Sequence, residues 1–456
     1  MKKRLLCLSL ALVSQGSLAS PWIDAGDTQL KNSIDLLVSY GVIHHPVNQY
    51  PLMWQGIASD LVDIDRATLP QEVMFALQHV EHSLRVAKLK RDSGVRAYYS
   101  SDAKLTQGFA PRDKAKAGLD TYGLMTSENV SAKVQVNYQR DGLDGKTTNY
   151  DGSHLAVLFD NWAVSAERLS YWWGPSNDNA QLLSNHAPPM TGLRLTRASS
   201  QLGPSFLSFL GPWQVTAIAA QQRPSQPIAN VKKNPSSNLW ALRFAATPLP
   251  GLEIATSTLS SEFVFEYDRT LERETPKKQT LQSFDVKYSM LAGQIPFSIY
   301  GEWMGHNQSG LTPISPTFTA GFETFTATAS SRSKYYIEYT DNEQNCSESR
   351  VLVGCNLDVV PKNQFTNRDW WLGSALPQQM SGWTLGYERF ESSGQGYGAK
   401  LKRHSKEESD FSELELRYQR GLFNGLWRVS ANYVRQENPR DTSSDTRFSS
   451  SWEYRF

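Results

Sequence analysis

The sequence has no long apolar run, few cysteines and almost no net charge. Beyond its first residues, no stretch approaches the roughly eighteen unbroken apolar residues that a membrane-spanning helix needs, so a helical membrane protein is not expected. Three Cys in 456 residues argue against a disulfide-dense miniprotein and against a Cys-rich zinc protein. The 46 Lys and Arg against 45 Asp and Glu provide no global field for nucleic acid, and we expect no nucleic-acid partner.

Catalytic motifs are missing as well. The sequence contains no Gly-x-Ser-x-Gly elbow, no His-Glu-x-x-His motif, no P-loop and no Gly-rich dinucleotide turn. His79 and His82 lie three residues apart, but His82 points away from the apolar stripe of a predicted helix and His79 lies near its edge. A solvated helix face explains this spacing better than a metal site does. We therefore predict no metal, no cofactor and no enzymatic activity.

Residues 1–19 are predicted to be a secretory signal peptide. Three basic residues at 2–4 precede an apolar segment at 5–13, and small residues at 17 and 19 suit cleavage. The apolar segment is too short to span a bilayer. The alternative, a buried first helix, leaves three adjacent charges unexplained. Export then places Cys346 and Cys355 in an oxidising compartment, where a disulfide between them is expected.

Residues 20–93 are predicted to form a small helical bundle. Asp27 can cap a helix whose apolar face is Leu30, Ile34, Leu37 and Val38, and Gly41 can end that helix. A second segment begins after Pro70 and keeps helical spacing of apolar residues over four turns. A shorter helix is predicted between them, at 54–64. Each helix has one apolar face, so the bundle needs something to pack against.

From residue 94 onwards the apolar period changes from 3.6 to 2. Val134, Val136 and Tyr138 alternate with polar residues, and the same alternation recurs at 284–290, 414–418 and 427–433. Such strands place apolar side chains on one face and charged or amide side chains on the other. A soluble sandwich alternates in the same way, so single strands do not decide the fold class.

The number of strands and their connections favour a barrel. We predict about eighteen antiparallel strands over 94–456, a number and length typical of outer-membrane barrels. Long connections at 101–118, 141–152, 170–189, 222–237, 261–280, 305–316 and 341–381 alternate with short ones, and Ser199 to Pro212 is an exception that is long where a short turn is due. This asymmetry is typical of extracellular loops against periplasmic turns. The sequence therefore predicts an all-β transmembrane barrel with a helical bundle on its periplasmic side.

The last strand supports the same fold. Phe448, Trp452, Tyr454 and Phe456 lie on one face of it, and the sequence ends on Phe456. A final strand with an aromatic face and a terminal Phe resembles the recognition signal of outer-membrane barrels. We therefore expect outer-membrane lipid around the strands and the barrel assembly machinery as a partner for the strand that ends at Phe456.

An outer-membrane lipid hydrolase built around His154 is one alternative function. The alternation places His154 on the same face as Ala156 and Leu158, towards lipid. No acid partner for the imidazole is evident in the sequence, so the hydrolase is not favoured.

Two segments carry residues suited to binding sugar. In the first, Trp172 and Trp173 are followed by Asn177, Asp178 and Asn185. Indole rings pack on the apolar faces of sugars, while amides and carboxylates bind their hydroxyl groups. The alternative interpretation is a pair of interfacial aromatic residues followed by a polar loop.

The second segment is Arg368-Asp369-Trp370-Trp371, in the longest predicted connection. It combines two indole rings with a guanidinium and a carboxylate and lies near Cys346 and Cys355 in the sequence. It is the second candidate carbohydrate site, and a loop core packed on Trp is its alternative interpretation.

Nearly the whole chain resembles the capsule assembly Wzi family, most specifically over Tyr171 to Asn185. Members of that family are outer-membrane barrels with a periplasmic helical bundle, and they are lectins that help hold capsular polysaccharide on the cell surface. The resemblance implies that Trp172, Trp173 and Asn185 belong to a loop arrangement that closes the barrel and contacts sugar.

The sequence therefore predicts a lectin in the outer membrane of a Gram-negative cell, with loops at the surface and the bundle in the periplasm. Its predicted partner is a capsular or exopolysaccharide, bound without covalent chemistry. The runner-up is a diffusion porin or sugar-uptake channel, which requires an open lumen.

Overall fold

The structure is a computed structural model that describes residues 20–62, 64–67, 69–102, 108–110, 115–142, 145–199, 208–223, 237–263, 279–306, 314–343, 365–376, 380–406, 409–439 and 441–456. Eighteen antiparallel strands form a closed barrel. The first nine are β1 (Arg91–Ser100), β2 (Ala117–Thr126), β3 (Val130–Arg140), β4 (His154–Phe159), β5 (Trp162–Glu167), β6 (Thr191–Arg197), β7 (Trp213–Gln222), β8 (Ser237–Leu249) and β9 (Leu252–Phe263). The others are β10 (Gln279–Ala292), β11 (Ile295–His306), β12 (Ile314–Ala327), β13 (Ser331–Asp341), β14 (Ser381–Glu391), β15 (Gly396–Lys406), β16 (Ser409–Leu422), β17 (Gly425–Asn438) and β18 (Asp441–Arg455).

Closure of the barrel satisfies the backbone of its first and last strands. The end of β18 pairs with β1, from Ser449 opposite Ser100 to Arg455 opposite Gly94. Lipid offers no partner to an unpaired N–H or C=O, so a spanning sheet must close on itself. The pairing between β3 and β4 is short, since only four residue pairs join these strands directly. Beyond them, the short strand Thr148–Asn149 pairs with β3.

The burial pattern is inverted relative to that of a soluble protein. On β3, Val134 is 62% exposed and Tyr138 is 57% exposed, whereas Asn137 and Gln139 are 8% exposed. On β10, the charged side chains of Asp285 and Lys287 are buried. Apolar side chains therefore face outward and polar ones face the lumen, which confirms the predicted transmembrane barrel.

Connection lengths divide the barrel into two ends. Up to β14, long and short connections alternate as predicted, and 198–212 is the long exception. Between the last strands the pattern stops, because residues 407–408 and 439–440 are short connections at the end where the long ones lie. We call this end the long-connection end and the opposite one the short-connection end. The N-terminal segment enters β1 at the short-connection end.

Three helices precede the barrel: α1 (Thr28–Ser39), α2 (Trp54–Asp60) and α3 (Gln71–Ala87), and a 3-10 turn follows at Ser208–Leu210. The Asp27 side chain caps α1 by accepting from the Leu30 N–H at 3.0 Å, as predicted. Ile34 and Leu37 of α1 share a buried core with Val73 and Leu77 of α3. Of the helices within the described residues, none is both long and apolar enough to cross a bilayer.

The opposite face of α1 is polar and is buried in the barrel. Lys31, Asn32 and Asp35 are each 2% exposed, and the strand residues that pair with Asn32 and Asp35 lie close to the short-connection end. Asn32 donates to Glu388 on β14 at 2.5 Å. The helical segment therefore fills the lumen at this end with charged side chains, where the sequence indicated only an apolar bundle face.

Candidate functional site

The connection between β5 and β6, residues 168–190, folds into the lumen from the long-connection end and meets the N-terminal segment there. Trp172 pairs in antiparallel register with Tyr50, and Trp173 pairs with Gln49. One residue further on, Gly174 donates its N–H to the Asn48 carbonyl at 2.9 Å. The two segments meet inside the lumen and stabilise each other, because each provides backbone partners for the other.

An aromatic cluster surrounds this junction. Phe109 lies 5.5 Å from Trp172 and 4.7 Å from Tyr50, centroid to centroid, in edge-on arrangements. The Trp172 indole N–H donates to the Ser176 carbonyl at 3.1 Å, and the side chain has no exposed surface. Burying a Trp with its N–H bonded contributes several kcal/mol to a packed core, by order of magnitude.

Asp178 anchors the same connection to the barrel wall. Its carboxylate accepts from Lys402 at 2.7 Å and also pairs with Lys400, both on β15. The Asp178 N–H donates to Glu338 on β13 at 3.0 Å. Burial alone would raise the pKa of the Asp178 carboxyl, but the two ammonium groups outweigh it and hold that pKa well below its usual range.

A second charge cluster joins α1 to the wall. Asp35 pairs with Lys31 at 2.7 Å, and with Lys287 and Lys334 at 3.0 Å each. Glu323 on β12 pairs with the same two wall lysines at 2.6 and 2.7 Å. Burial alone would raise the pKa of Asp35, but Lys287, Lys31 and Lys334 hold it well below its usual range. Burial lowers the pKa of Lys31 to about 8, against the opposing effect of Asp35.

Asn177 links the two clusters. Its side-chain carbonyl accepts from Lys334 at 2.8 Å, and its amide donates to Glu323 at 2.9 Å and to Tyr300 at 3.0 Å. One amide thus bonds to groups that also hold α1. Buried charges of this kind are stable only when every member is paired, so displacement of one segment exposes unpaired charge on the other.

A short hairpin lies over this closed lumen at the long-connection end. Thr366–Asn367 pairs with Trp370–Trp371, and the turn residues Arg368 and Asp369 have φ values of 51° and 66°. Two positive φ values define a type I′ turn, which Asn and Gly adopt more readily. The Arg368 guanidinium binds both carboxylate oxygens of Asp151 at 2.9 Å and so holds the turn in place.

The hairpin rests on the end of the 168–190 connection. Ser184 donates its N–H to the Leu372 carbonyl at 2.8 Å, and the Asn367 amide donates to the Pro188 carbonyl at 2.9 Å. The Trp370 ring lies 5.1 Å from His186, edge-on. Asp369 is exposed, and Trp370 and Trp371 are half-buried.

The predicted site residues therefore separate into two layers. Trp172, Trp173, Asn177, Asp178 and Asn185 are all buried in the lumen. Their burial leaves no indole face open to a sugar ring, so the structure does not support direct sugar contact by Trp172 and Trp173. It places them in the closure of the barrel. Asn185 belongs to the same layer, since its amide donates to the Phe109 carbonyl at 2.8 Å.

The second predicted group lies in the outer layer, where Arg368 is buried in its ion pair and Asp369, Trp370 and Trp371 reach the surface. Cys346 and Cys355 lie outside the described residues, as does the segment 1–19. Their disulfide and the signal peptide stay predictions.

Sequence reasoning missed the residues that hold the closure. The lumen carboxylates Glu302, Glu323 and Glu338 and the lysines of β15 were not singled out from the sequence. Glu302 accepts from the N–H of Gln181 at 3.0 Å and of Leu182 at 3.3 Å. Such residues can be recognised in a sequence as charged residues at strand positions that face the lumen of a transmembrane barrel. A charge buried there requires a partner.

His154 corrects a prediction. Its side chain is buried in the lumen, where Nε2 lies 3.1 Å from the Ser131 hydroxyl and the ring packs 4.7 Å from Trp22. The outward positions of β4 are Leu155, Val157 and Phe159. The face was predicted wrongly because this six-residue strand has apolar residues on both faces. Its sequence therefore does not show which residues face outward.

Beside the N-terminal segment, a cavity of ≈ 760 Å³ remains in the lumen. Ion pairs line it, among them Arg96 with Asp120 at 2.9 Å and Arg417 with Glu388 at 2.6 Å. Within the described residues, no group of three or more His, Cys, Asp or Glu side chains is arranged to hold a metal ion.

Comparison with known proteins places this architecture in a family. Residues 106–448 match the family described as capsule assembly protein Wzi. An uncharacterised 55.8 kDa protein in the cps region of Klebsiella pneumoniae is 27% identical over 342 residues, which are 70% of this chain and 65% of that protein's length. The structure of Wzi from Escherichia coli is similar with a TM-score of 0.80 at 21% identity, over 94% of this chain and 98% of that one. That protein is described as a carbohydrate-binding β-barrel of the outer membrane, involved in group 1 capsule assembly. Because the family match covers most of its length, the chain belongs to the capsule assembly protein Wzi family.

Proposed function

We propose that this protein is an outer-membrane lectin that binds capsular or extracellular polysaccharide non-covalently and helps attach it to the cell surface. The observation that carries the proposal is the outer hairpin: Asp369, Trp370 and Trp371 reach the surface, and the hairpin rests on the connection that fills the lumen beneath it. Half-buried indole rings offer an apolar face to a sugar ring while their packing keeps them rigid.

Three further facts support this assignment. The chain belongs to a capsule assembly family, and its fold is that of a barrel described as carbohydrate-binding. Buried clusters around Asp35 and Asp178 fill the lumen from both ends, which argues against an open diffusion channel. The proposed chemistry is binding and not catalysis.

In this proposal the short-connection end and its helices lie in the periplasm, after removal of residues 1–19, and the long-connection end faces outward. The strand ending at Phe456 is the proposed contact for the barrel assembly machinery. Many weak contacts along a polymer retain it by avidity, without a tight single site.

The direct test measures binding of purified capsular polysaccharide from the source strain to detergent-solubilised protein. Trp370→Ala and Trp371→Ala are each expected to weaken binding roughly fivefold, since loss of one aromatic stacking surface costs about 1 kcal/mol. Trp383→Ala is the matched control, because Trp383 is 53% exposed on the outward face of β14. Unchanged binding in both hairpin variants would contradict the assignment of the site.

The cellular test compares a strain lacking the gene with its parent. Attachment predicts that polysaccharide moves from the cell surface to the medium while its total amount stays constant. A loss of total polysaccharide would instead indicate a role in synthesis or export.

A further inference from the structure

The barrel wall has its smallest height along the barrel axis in the sector of its shortest strands. Strands β4 and β5 have six residues each and β6 has seven, whereas β10 and β16 have fourteen. On the outer surface of this sector is a recess of ≈ 700 Å³, lined by Val134, Ala166, Leu193, Ala219 and Trp240 among others. This volume is in the range of small-molecule binding pockets.

Outward-facing residues form two rows across the recess. The lower row is apolar: Ala166 is opposite Leu193, Leu193 is opposite Ala219, and Ala219 is opposite Trp240. Leu193 is 57% exposed and Trp240 is 54% exposed.

The upper row, two residues nearer the long-connection end, is polar. In it Thr191 is opposite Gln221, and Gln221 is opposite Asn238. The change from apolar to polar over about 7 Å of strand places the boundary of the hydrocarbon region between the two rows.

Arginine residues lie next to the polar row, on its side nearer the long-connection end. Arg168 follows Ala166 by two residues and lines the recess, and its guanidinium pairs with Asp151 at 2.8 Å. Arg223 follows Gln221 by two residues and donates to the Gln221 side chain at 2.9 Å. Arg368, which shares Asp151, donates its backbone N–H to the Arg223 carbonyl at 2.6 Å.

This rim has an excess of positive charge directly above an apolar recess. The guanidinium groups of Arg168 and Arg368 share the carboxylate of Asp151, and the buried Nε of Arg168 has no hydrogen-bond partner among the described residues. Guanidinium groups bind phosphate and carboxylate oxygens in bidentate fashion.

We infer that the recess is a binding site for an anionic lipid of the surrounding leaflet. One acyl chain lies along Leu193, Ala219 and Trp240, and the anionic headgroup binds Arg168 and Arg223. The site adjoins the glycan site of the proposed function, with which it shares Asp151, but it binds a different ligand. It ties the barrel to its membrane at the sector where the strands are shortest. The occupant is a lipid and not a free anion, because the recess below the arginines is apolar and opens to the membrane.

The test uses protein in dodecyl maltoside micelles, titrated with phosphatidylglycerol or phosphatidylcholine of identical chains and observed by native mass spectrometry. Wild type is expected to bind phosphatidylglycerol in preference, and the double variant Arg168→Gln, Arg223→Gln to bind it about tenfold more weakly. Arg403→Gln is the matched control, since Arg403 is an outward-facing, 76% exposed arginine on β15 that pairs with Asp410.

A second variant addresses the acyl chain. Ala166→Phe fills the recess while both arginines are kept and is expected to weaken binding of both lipids. Ala399→Phe, at an outward Ala of β15, is not expected to do so. Heat-modifiable migration verifies that each barrel is folded. If the arginine variant does not fold, Ala166→Phe and its control decide the question.

Three results would overturn the inference. They are equal binding of the two lipids to wild type, equal losses in Arg403→Gln and in the rim variant, and displacement of phosphatidylglycerol by inorganic phosphate at the same concentration. The last would show an anion site in which the acyl chain has no part.

Discussion

Trp172 and Tyr50 pair as opposite residues of a two-residue antiparallel sheet inside the barrel. One belongs to a connection that enters from the long-connection end and the other to the segment that enters from the short-connection end. Neither segment alone fills the lumen. We expect their junction, surrounded by the buried charges of Asp35 and Asp178, to distinguish this barrel from an aqueous channel with the same number of strands.

The ion pairs of Asp178 give the first prediction. Asp178→Asn removes the carboxylate that Lys400 and Lys402 share, and loss of one partner in a buried ion pair costs about 3–5 kcal/mol. We expect the barrel to assemble while residues 168–190 become accessible to added protease. Asp410→Asn is the control, because its pair with Arg403 spans 3.6 Å in solvent. Equal protease resistance of the two variants would show that the Asp178 pairs do not hold the closure.

Gly174 gives the second prediction. Its φ of 130° disfavours a side chain, and a Cβ there would overlap the Glu302 carboxylate. Gly174→Ala is expected to displace the connection, with a loss of roughly 1–3 kcal/mol. Gly394→Ala separates the two causes, since Gly394 also has positive φ but open space around it. Thermal unfolding compares the variants, and an equal decrease in both would contradict the role of close packing against Glu302.

Acid is expected to weaken the closure. Asp35 and Asp178 have pKa values held below their usual range, so they contribute stability at pH values above about 4 that is lost as the pH falls further. Between pH 5 and 8 these two carboxylates stay charged and contribute fully. Pepsin cleavage of the folded barrel at pH 3 and at pH 5 measures the change. No difference in cleavage of residues 168–190, after correction for pepsin activity, would refute it.

The barrel could be predicted from the sequence because the alternation of apolar and polar residues involves only neighbouring positions in each strand. Val134 and Lys133 are neighbours, and their contrast identifies the outward and inward faces of a strand without knowledge of the rest of the fold. The cap of α1 at Asp27 was predictable for the same reason. The fold class, the strand number and most connections are confirmed.

The closure could not be predicted in the same way. Asp178 meets Lys400 some 222 residues away in the sequence, and no local pattern indicates which inward lysine takes which carboxylate. Trp172 was interpreted as a sugar platform because tandem indoles suit both a binding surface and a core, and only its burial decides between them. His154 was assigned to the wrong face because β4 is apolar on both.

Single-channel recording in a planar bilayer tests the central claim most directly, since an aqueous lumen and a closed one differ in conductance. A general porin measured under the same conditions verifies that channels of this width are detected. We predict that purified wild-type protein inserts without a steady conductance at pH 7. A steady conductance of porin size would contradict the account, because it would mean that the junction of Trp172 with Tyr50 does not close the barrel.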